Sequence, residues 1–208
     1  MLSNIAVAAF LLVCLGSFVS VNLHNILVVR RSTGSVEARE EVDRPSGLAV
    51  DAAAAGTIAY FLLASAYPFL VFTGQETMPP TLSLQLQPSA MIDMQIVGLA
   101  LTGAGYSLFV WSVIARARYA VSWAMTENHR LVTWGPYRYV RHPSYLGYFL
   151  MFLGLFFVWP HFLALFPLIA IPGYIRVTVE EERLLLRRFG DEFLEYQRRT
   201  GRFIPKLR

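Results

Sequence analysis

The chain has 208 residues, 55% of them apolar, with a mean hydropathy of +0.47 and a formal charge of +4. That length suits one ordinary domain, but the apolar residues stand in blocks near 20 residues long, the length that crosses a hydrocarbon layer of about 30 Å, which excludes a water-soluble globule. A single cysteine, Cys14, excludes an intramolecular disulfide and a cysteine metal cluster.

In chain order, the first apolar block covers about 4–28. It has no Lys or Arg before Asn4 and its run is too long for a cleaved leader, so a retained helix is expected, with Cys14 an inert thiol inside it. Residues 30–47 read as a solvated connector of mixed charge, and Pro45-Ser46-Gly47 opens the second span at about 48–72. The Pro-rich segment 73–93 reads as an outer loop before the third span at about 94–115. Small residues at helical spacing (Ala52 and Gly56, Gly98 and Thr102, Gly103 and Ser107) predict close helix packing.

Two shorter blocks follow at about 144–158 and 161–175, split by Trp159-Pro160. At 1.5 Å per residue each is about 22 Å long, so a short helical hairpin tucked against the other spans is predicted. Pro167 and Pro172 interrupt its second arm. Residues 177–199 read as an amphipathic helix: Leu185, Phe189 and Phe193 share a face, Glu180–Glu182 lie near its start, and Arg198 and Arg199 near its end. Gly190-Asp191 is placed to stop one helix and cap the next. The fold class is therefore all-α and integral to the membrane: five transmembrane helices, the last two a short hairpin, plus a C-terminal cytoplasmic amphipathic helix.

All 18 basic residues fall at 30–44, 116–141 and 176–208. With five spans these stretches share one side, which the positive-inside rule names cytoplasmic. The N-terminus is then outside and the C-terminus inside. The charge is accounted for by topology and by anionic lipid head groups; no aromatic-rich motif accompanies it, so no nucleic-acid partner is expected. Arg183, Arg187 and Arg188 read as head-group contacts, Trp123, Trp134 and Trp159 as an interfacial belt, and His24 and His161 as boundary residues.

Chemistry-bearing residues concentrate in 127–145: Glu127, His129, Arg130, Tyr137, Arg138, Tyr139, Arg141, His142 and Tyr145, broken by Gly135-Pro136 and His142-Pro143. Arg176 with Glu180–Glu182 forms a second cluster at the hairpin exit. Charges at a membrane boundary pair with each other or with a ligand. Arg, His and Tyr facing carboxylates suit an amino-acid zwitterion, and S-adenosylmethionine joins a zwitterion to a nucleoside; a nucleotide phosphate would suit the same arginines.

The stretch His129-Arg-Leu-Val-Thr-Trp-Gly-Pro-Tyr-Arg-Tyr-Val-Arg-His-Pro-Ser-Tyr-Leu-Gly147 resembles the signature of the isoprenylcysteine carboxyl methyltransferase and phospholipid methyltransferase superfamily. The tail from Glu181 to Tyr196, ending in Arg202-Phe-Ile-Pro205, is similar to the same family. Together they span roughly 116–207; residues 1–115 resemble the family only in being transmembrane. The resemblance implies S-adenosyl-L-methionine as cofactor and two functional parts, with three helices at 1–115 on the acceptor side and a cofactor-binding region at 116–208. It implies that His129, Arg130, Leu131 and Val132 hold the adenosyl part, with Tyr137 lining the same pocket. Arg141 and His142 would face the methionine carboxylate or orient the donor. Ser144 and Tyr145 begin the helix beside it, with Gly147 and Gly154 leaving room. Glu181 would receive the methionine ammonium, with Glu180 the alternative, and Arg176 would meet the substrate, although its spacing to Glu181 is five residues rather than four. Ser122 stands where an amide is expected in the eukaryotic enzymes.

The reaction implied is in-line methyl displacement without metal. A carboxylate acceptor needs no base, whereas an amine or thiol would use His129 or a glutamate. The acceptor is expected to be lipophilic, entering from the bilayer. An isoprenylcysteine carboxylate is the leading reading; a phospholipid amine, an NADPH-dependent membrane reductase and a non-catalytic membrane protein are the alternatives.

Overall fold

A computed structural model of the chain describes residues 2–32, 39–41, 46–75, 77, 88–119, 124–126 and 130–206. The described part is helical: α1 Asn4–Ser32, α2 Leu48–Phe72, α3 Pro88–Arg116, α4 Pro143–Val158, α5 Ala170–Phe189 and α6 Asp191–Arg199. Short 3-10 segments cover Ala117–Tyr119, Gly135–Arg138 and Phe162–Ile169. Two three-residue strands, β1 Arg39–Glu41 and β2 Ala124–Thr126, pair antiparallel with Arg39 opposite Thr126. That ribbon ties the connector after α1 to the segment after α3, where a solvated connector alone was predicted.

Four helical stretches are long and apolar enough to cross a membrane: Asn4–Leu27, Leu48–Phe72, Ser89–Arg116 and Phe162–Phe189. Large apolar side chains face outward on all four, among them Val13, Leu62, Phe69, Ile114 and Phe166. A surface of that kind matches lipid rather than water. At 16 residues, α4 is the shorter apolar helix; Met151, Phe152, Leu155 and Val158 on it are fully buried.

Missing side chains let the helices approach. A Cβ on Gly105 of α3 would stand 2.7 Å from the Gly147 carbonyl of α4, and one on Gly147 would stand 2.9 Å from the Gly105 carbonyl. Gly98 and Gly154 meet in the same way farther along. The side of α4 that carries Gly147 and Gly154 therefore packs on α3, where the resemblance had implied room for a cofactor. Gly56 abuts Ala170, and Gly173 abuts Ala49 and Ala53, joining α2 to α5. Between these seams lies an aromatic core of Phe18, Tyr60, Phe61, Tyr106, Phe109, Tyr148, Phe152 and Tyr174. Three of its hydroxyls have partners: Tyr60 donates to Tyr106 at 3.1 Å, and Thr57 shares a 2.7 Å hydrogen bond with Tyr174. Buried polar groups without partners are costly in an apolar medium, so these pairings lower the cost of hydroxyls in the core.

At the opposite end from the C-terminal tail, the Leu2 backbone donates to Gln95 at 2.8 Å and Tyr67 donates to Asn4 at 3.3 Å. Trp159 is buried and donates to the Thr77 carbonyl, so it closes this end of the bundle from within. His161 is also buried, its Nδ1 accepting from the Leu163 backbone at 3.2 Å.

Three boundaries differ from the sequence reading. Helix α3 starts at Pro88, since proline is tolerated in a first turn where its missing N–H has no partner to lose. The second hairpin arm begins as a 3-10 segment around Pro167, becomes α-helical at Ala170 and runs unbroken to Phe189. Pro172 falls in the first turn, so no strong breaker separates the apolar arm from the charged part. The predicted tail helix is thus the continuation of this arm up to Gly190, whose φ of 51° ends α5 and starts α6.

Candidate active site

Three segments converge at the C-terminal end of the bundle: the 130–142 loop, the first turn of α4 and the charged half of α5. Loop position is set from both sides. The Trp134 ring N–H donates to the Ala115 carbonyl at 2.8 Å. Gly135 has a φ of 61°, and a Cβ there would stand 2.9 Å from that of Ala115; only glycine takes this turn freely. Farther along, the loop is sewn to the chain's tail. Arg141 and His142 backbone N–H groups donate to the carbonyls of Gly201 and Arg202 at 2.9 and 3.1 Å, and the Tyr196 hydroxyl donates to the Tyr137 carbonyl at 2.7 Å. Pro143 then opens α4, and Ser144 shares a 2.8 Å hydrogen bond with Ser112 of α3.

Glu182 is the hub of this stitching. Its buried carboxylate accepts from Arg141 Nε at 2.8 Å, Arg202 at 2.7 and 3.1 Å, His142 Nε2 at 3.2 Å and Gln197 at 3.3 Å. Arg141 also donates to the Thr200 carbonyl. Charge-assisted bonds of this kind are the strong ones, and here they join α5, α6, the loop and the tail.

Glu181 is buried too but faces another way. It accepts from the Tyr145 hydroxyl at 2.6 Å and lies 3.4 Å from His142 Nδ1. His142 therefore has a carboxylate at each ring nitrogen, and only the imidazolium donates at both. Burial pushes its pKa down, but the two carboxylates outweigh that and hold it above the ordinary histidine value.

Glu181 opens into a cavity whose empty space, open solvent at its mouth included, is about 670 Å³. One wall is Arg130, Leu131, Val132, Tyr137, Arg141 and His142; a second is Ser144 and Tyr145; a third is Glu181, Leu185 and Tyr196; Arg116 and Tyr119 complete the lining. Nine of the residues singled out from sequence thus share one cavity. His129 lies outside the described residues, as do Glu127 and Ser122. Arg176 and Glu180 do not line the cavity: they pair with each other at 3.5 Å, and Glu180 also holds Arg183 at 2.8 Å, on an exposed face of α5. Successive helix residues point about 100° apart, so only one of Glu180 and Glu181 can face in.

Sequence reasoning missed Arg116, Tyr119, Leu185 and Tyr196 as lining residues and Glu182 and Arg202 as the clasp. Leu185 had a readable signal, since it stands one turn after Glu181. The others are brought in by long-range packing.

Residues 94–192 match the Phospholipid methyltransferase family. The chain is 36% identical over 83 residues to Protein-S-isoprenylcysteine O-methyltransferase of Schizosaccharomyces pombe, covering 39% of this chain and 35% of that protein. It is 25% identical over 182 residues to the Homo sapiens protein of the same name, covering 80% of this chain and 58% of that protein. Over 86 residues it is 41% identical to Cobalt-zinc-cadmium resistance protein CzcN of Cupriavidus metallidurans, covering 39% and 38%.

Residues 94–192, just under half of the chain, are thus similar to the Phospholipid methyltransferase family. The matched stretch runs from α3 into α6, so it includes the helix that ends in Arg116 and both sides of the cavity. It starts well before residue 116, where the resemblance was first read, and the human relative extends the similarity over most of the chain. The chain spans 35% to 58% of the length of these two isoprenylcysteine relatives.

Proposed function

We propose that this protein is an integral membrane methyltransferase that moves a methyl group from S-adenosyl-L-methionine to a lipophilic acceptor of the isoprenylcysteine carboxylate type. The observation that carries the reading is Glu181, a buried carboxylate opening into a cavity of mixed character within the methyltransferase family region. The residues present fit the cofactor. Glu181 offers an acceptor for an ammonium, while Leu131, Val132, Leu185, Tyr137 and Tyr196 offer apolar and aromatic surface for an adenosyl group.

When bound, S-adenosylmethionine supplies a sulfonium methyl open to in-line displacement. The chain's residues hold and align. Tyr145 fixes one Glu181 oxygen, and His142 fixes the other side of that carboxylate. Arg141, held on Glu182, keeps the loop against the tail so that Leu131 and Val132 stay in place. Ser144 keeps α4 registered on α3. Alignment of this kind is worth several kcal/mol of a barrier, and a carboxylate acceptor is nucleophilic at neutral pH without a base.

The same reading assigns residues 1–115 to the acceptor side and 116–208 to the donor side, with the acceptor entering from the bilayer. It counts α4 as a short fifth span, and by the positive-inside rule it puts the N-terminus outside and the cavity at the cytoplasmic face, next to anionic head groups. Calorimetric titration with S-adenosylhomocysteine in detergent tests it. Binding in the micromolar range is expected, and no heat at high micromolar concentration would sink the reading. Labelled-methyl transfer to a panel of lipophilic carboxylates, amines and thiols then identifies the acceptor class.

A further inference from the structure

The cavity's charged groups are unequal in how they are satisfied. Arg141 is held by Glu182 and the Thr200 carbonyl, and Glu181 by Tyr145 and His142. Arg130 is exposed. Arg116 differs from all of them: it lines the cavity, its Nε is shielded from solvent, and that Nε has no hydrogen-bond partner among the described residues. Leaving a buried donor on a cation unmatched is expensive, so native structures rarely keep one without a purpose.

Arg116 is also held in place. It is the last residue of α3, directly after Ala115, which Trp134 and Gly135 grip from the loop side. One turn earlier, Ser112 is bonded to Ser144 of α4. On the same last turns of α3, Trp111 and Ile114 face outward, so Arg116 sits where the lipid-facing surface meets the cavity.

We propose that Arg116 anchors the carboxylate of the methyl acceptor and thereby selects an anionic lipophilic substrate; this rests on the methyltransferase reading above. A guanidinium suits a planar carboxylate. The donor's own carboxylate is the other source of the same chemistry. It shares a carbon with the ammonium assigned to Glu181, and the cation found beside Glu181 is His142, while Arg116 makes no ion pair with Glu181. In the transfer, a lone pair of one acceptor oxygen forms the O–CH3 bond as the S–CH3 bond breaks with its pair left on sulfur. The carboxylate and sulfonium charges both vanish and no proton moves. The ester then offers Arg116 no full charge, so product is held more weakly than substrate.

The test uses the full-length protein in detergent with N-acetyl-S-farnesylcysteine as acceptor and its carboxamide as competitor, on wild type, Arg116→Ala and Arg116→Lys. Expected for Arg116→Ala are a KM for the acid raised tenfold or more, a kcat changed less than threefold and S-adenosylhomocysteine affinity within threefold of wild type. Lysine should restore part of the KM. The carboxamide should inhibit both forms equally. Apo thermal stability should change little, because the Arg116 Nε loses no hydrogen-bond partner among the described residues. An unchanged KM, or a lower Tm as the sole effect, overturns the proposal in favour of a helix-terminal charge. Lost S-adenosylhomocysteine binding in Arg116→Ala reassigns the residue to the donor and also overturns it. Wild type that binds S-adenosylhomocysteine but neither binds nor methylates the acid overturns this inference alone; wild type that binds no S-adenosylhomocysteine overturns the functional reading itself.

Discussion

Glu181 and Glu182 follow one another on α5, yet they serve regions finished to different degrees. Around Glu182, two arginines, an imidazole and an amide converge on one buried carboxylate. Beside the open volume, Glu181 is held by Tyr145 and His142, while the buried Nε of Arg116 has no hydrogen-bond partner among the described residues. A saturated buried cluster holds a fold together. An unsaturated one next to a cavity has capacity left for a ligand. The contrast separates scaffold from site among residues that sequence shows merely as a run of three glutamates.

The largest expected effect tests the scaffold side. Glu182→Ala removes the carboxylate shared by Arg141, His142 and Arg202, and removing one partner of a buried ion pair typically costs about 3–5 kcal/mol. Thermal unfolding in detergent should show a collapse in Tm, and limited proteolysis should release the tail after residue 190. A variant as stable as wild type would break the distinction.

Next comes the site side. Glu181→Ala should weaken S-adenosylhomocysteine binding at least 30-fold, about 2 kcal/mol, with a far smaller change in Tm than Glu182→Ala. Tyr145→Phe removes just the hydroxyl that fixes Glu181 and should weaken binding about three- to tenfold, in line with about 0.5–1.5 kcal/mol for one hydrogen bond. Calorimetric titration reads both.

His142 joins the two regions and should make their coupling sensitive to pH. Its pKa is raised on folding, so its stabilisation is complete below about pH 6.5 and is lost as pH rises through the higher folded value. The Tm advantage of wild type over His142→Gln should therefore shrink between pH 6 and pH 9. A gap that widens would reverse the assignment of the imidazolium.

The smallest effect is expected on the outer face of α5. Arg176 is 63% exposed in its side chain and pairs loosely with Glu180, so Arg176→Ala should change stability by less than about 1 kcal/mol. If methyl transfer nonetheless collapses with the fold intact, Arg176 meets the acceptor from outside the cavity lining, and the division between site and scaffold needs a third part.

Sequence by itself determined the membrane character, because apolar blocks near 20 residues long have few other uses. It also determined most of the cavity wall, because Arg130 to Tyr145 is one continuous stretch and its neighbours in space are its neighbours in the chain. Glu181 was legible as one of two adjacent candidates, and helix geometry chose between them. Tertiary structure alone decided the rest. Arg116, Tyr196 and Arg202 reach the site across 20 to 60 residues of intervening chain, and β1 meets β2 across more than 80. Gly147 and Gly154 read equally well as cofactor room or as helix seam until α3 was in place. Which buried charges are saturated and which are left open is a sum over partners from distant segments, and no local pattern carries that sum.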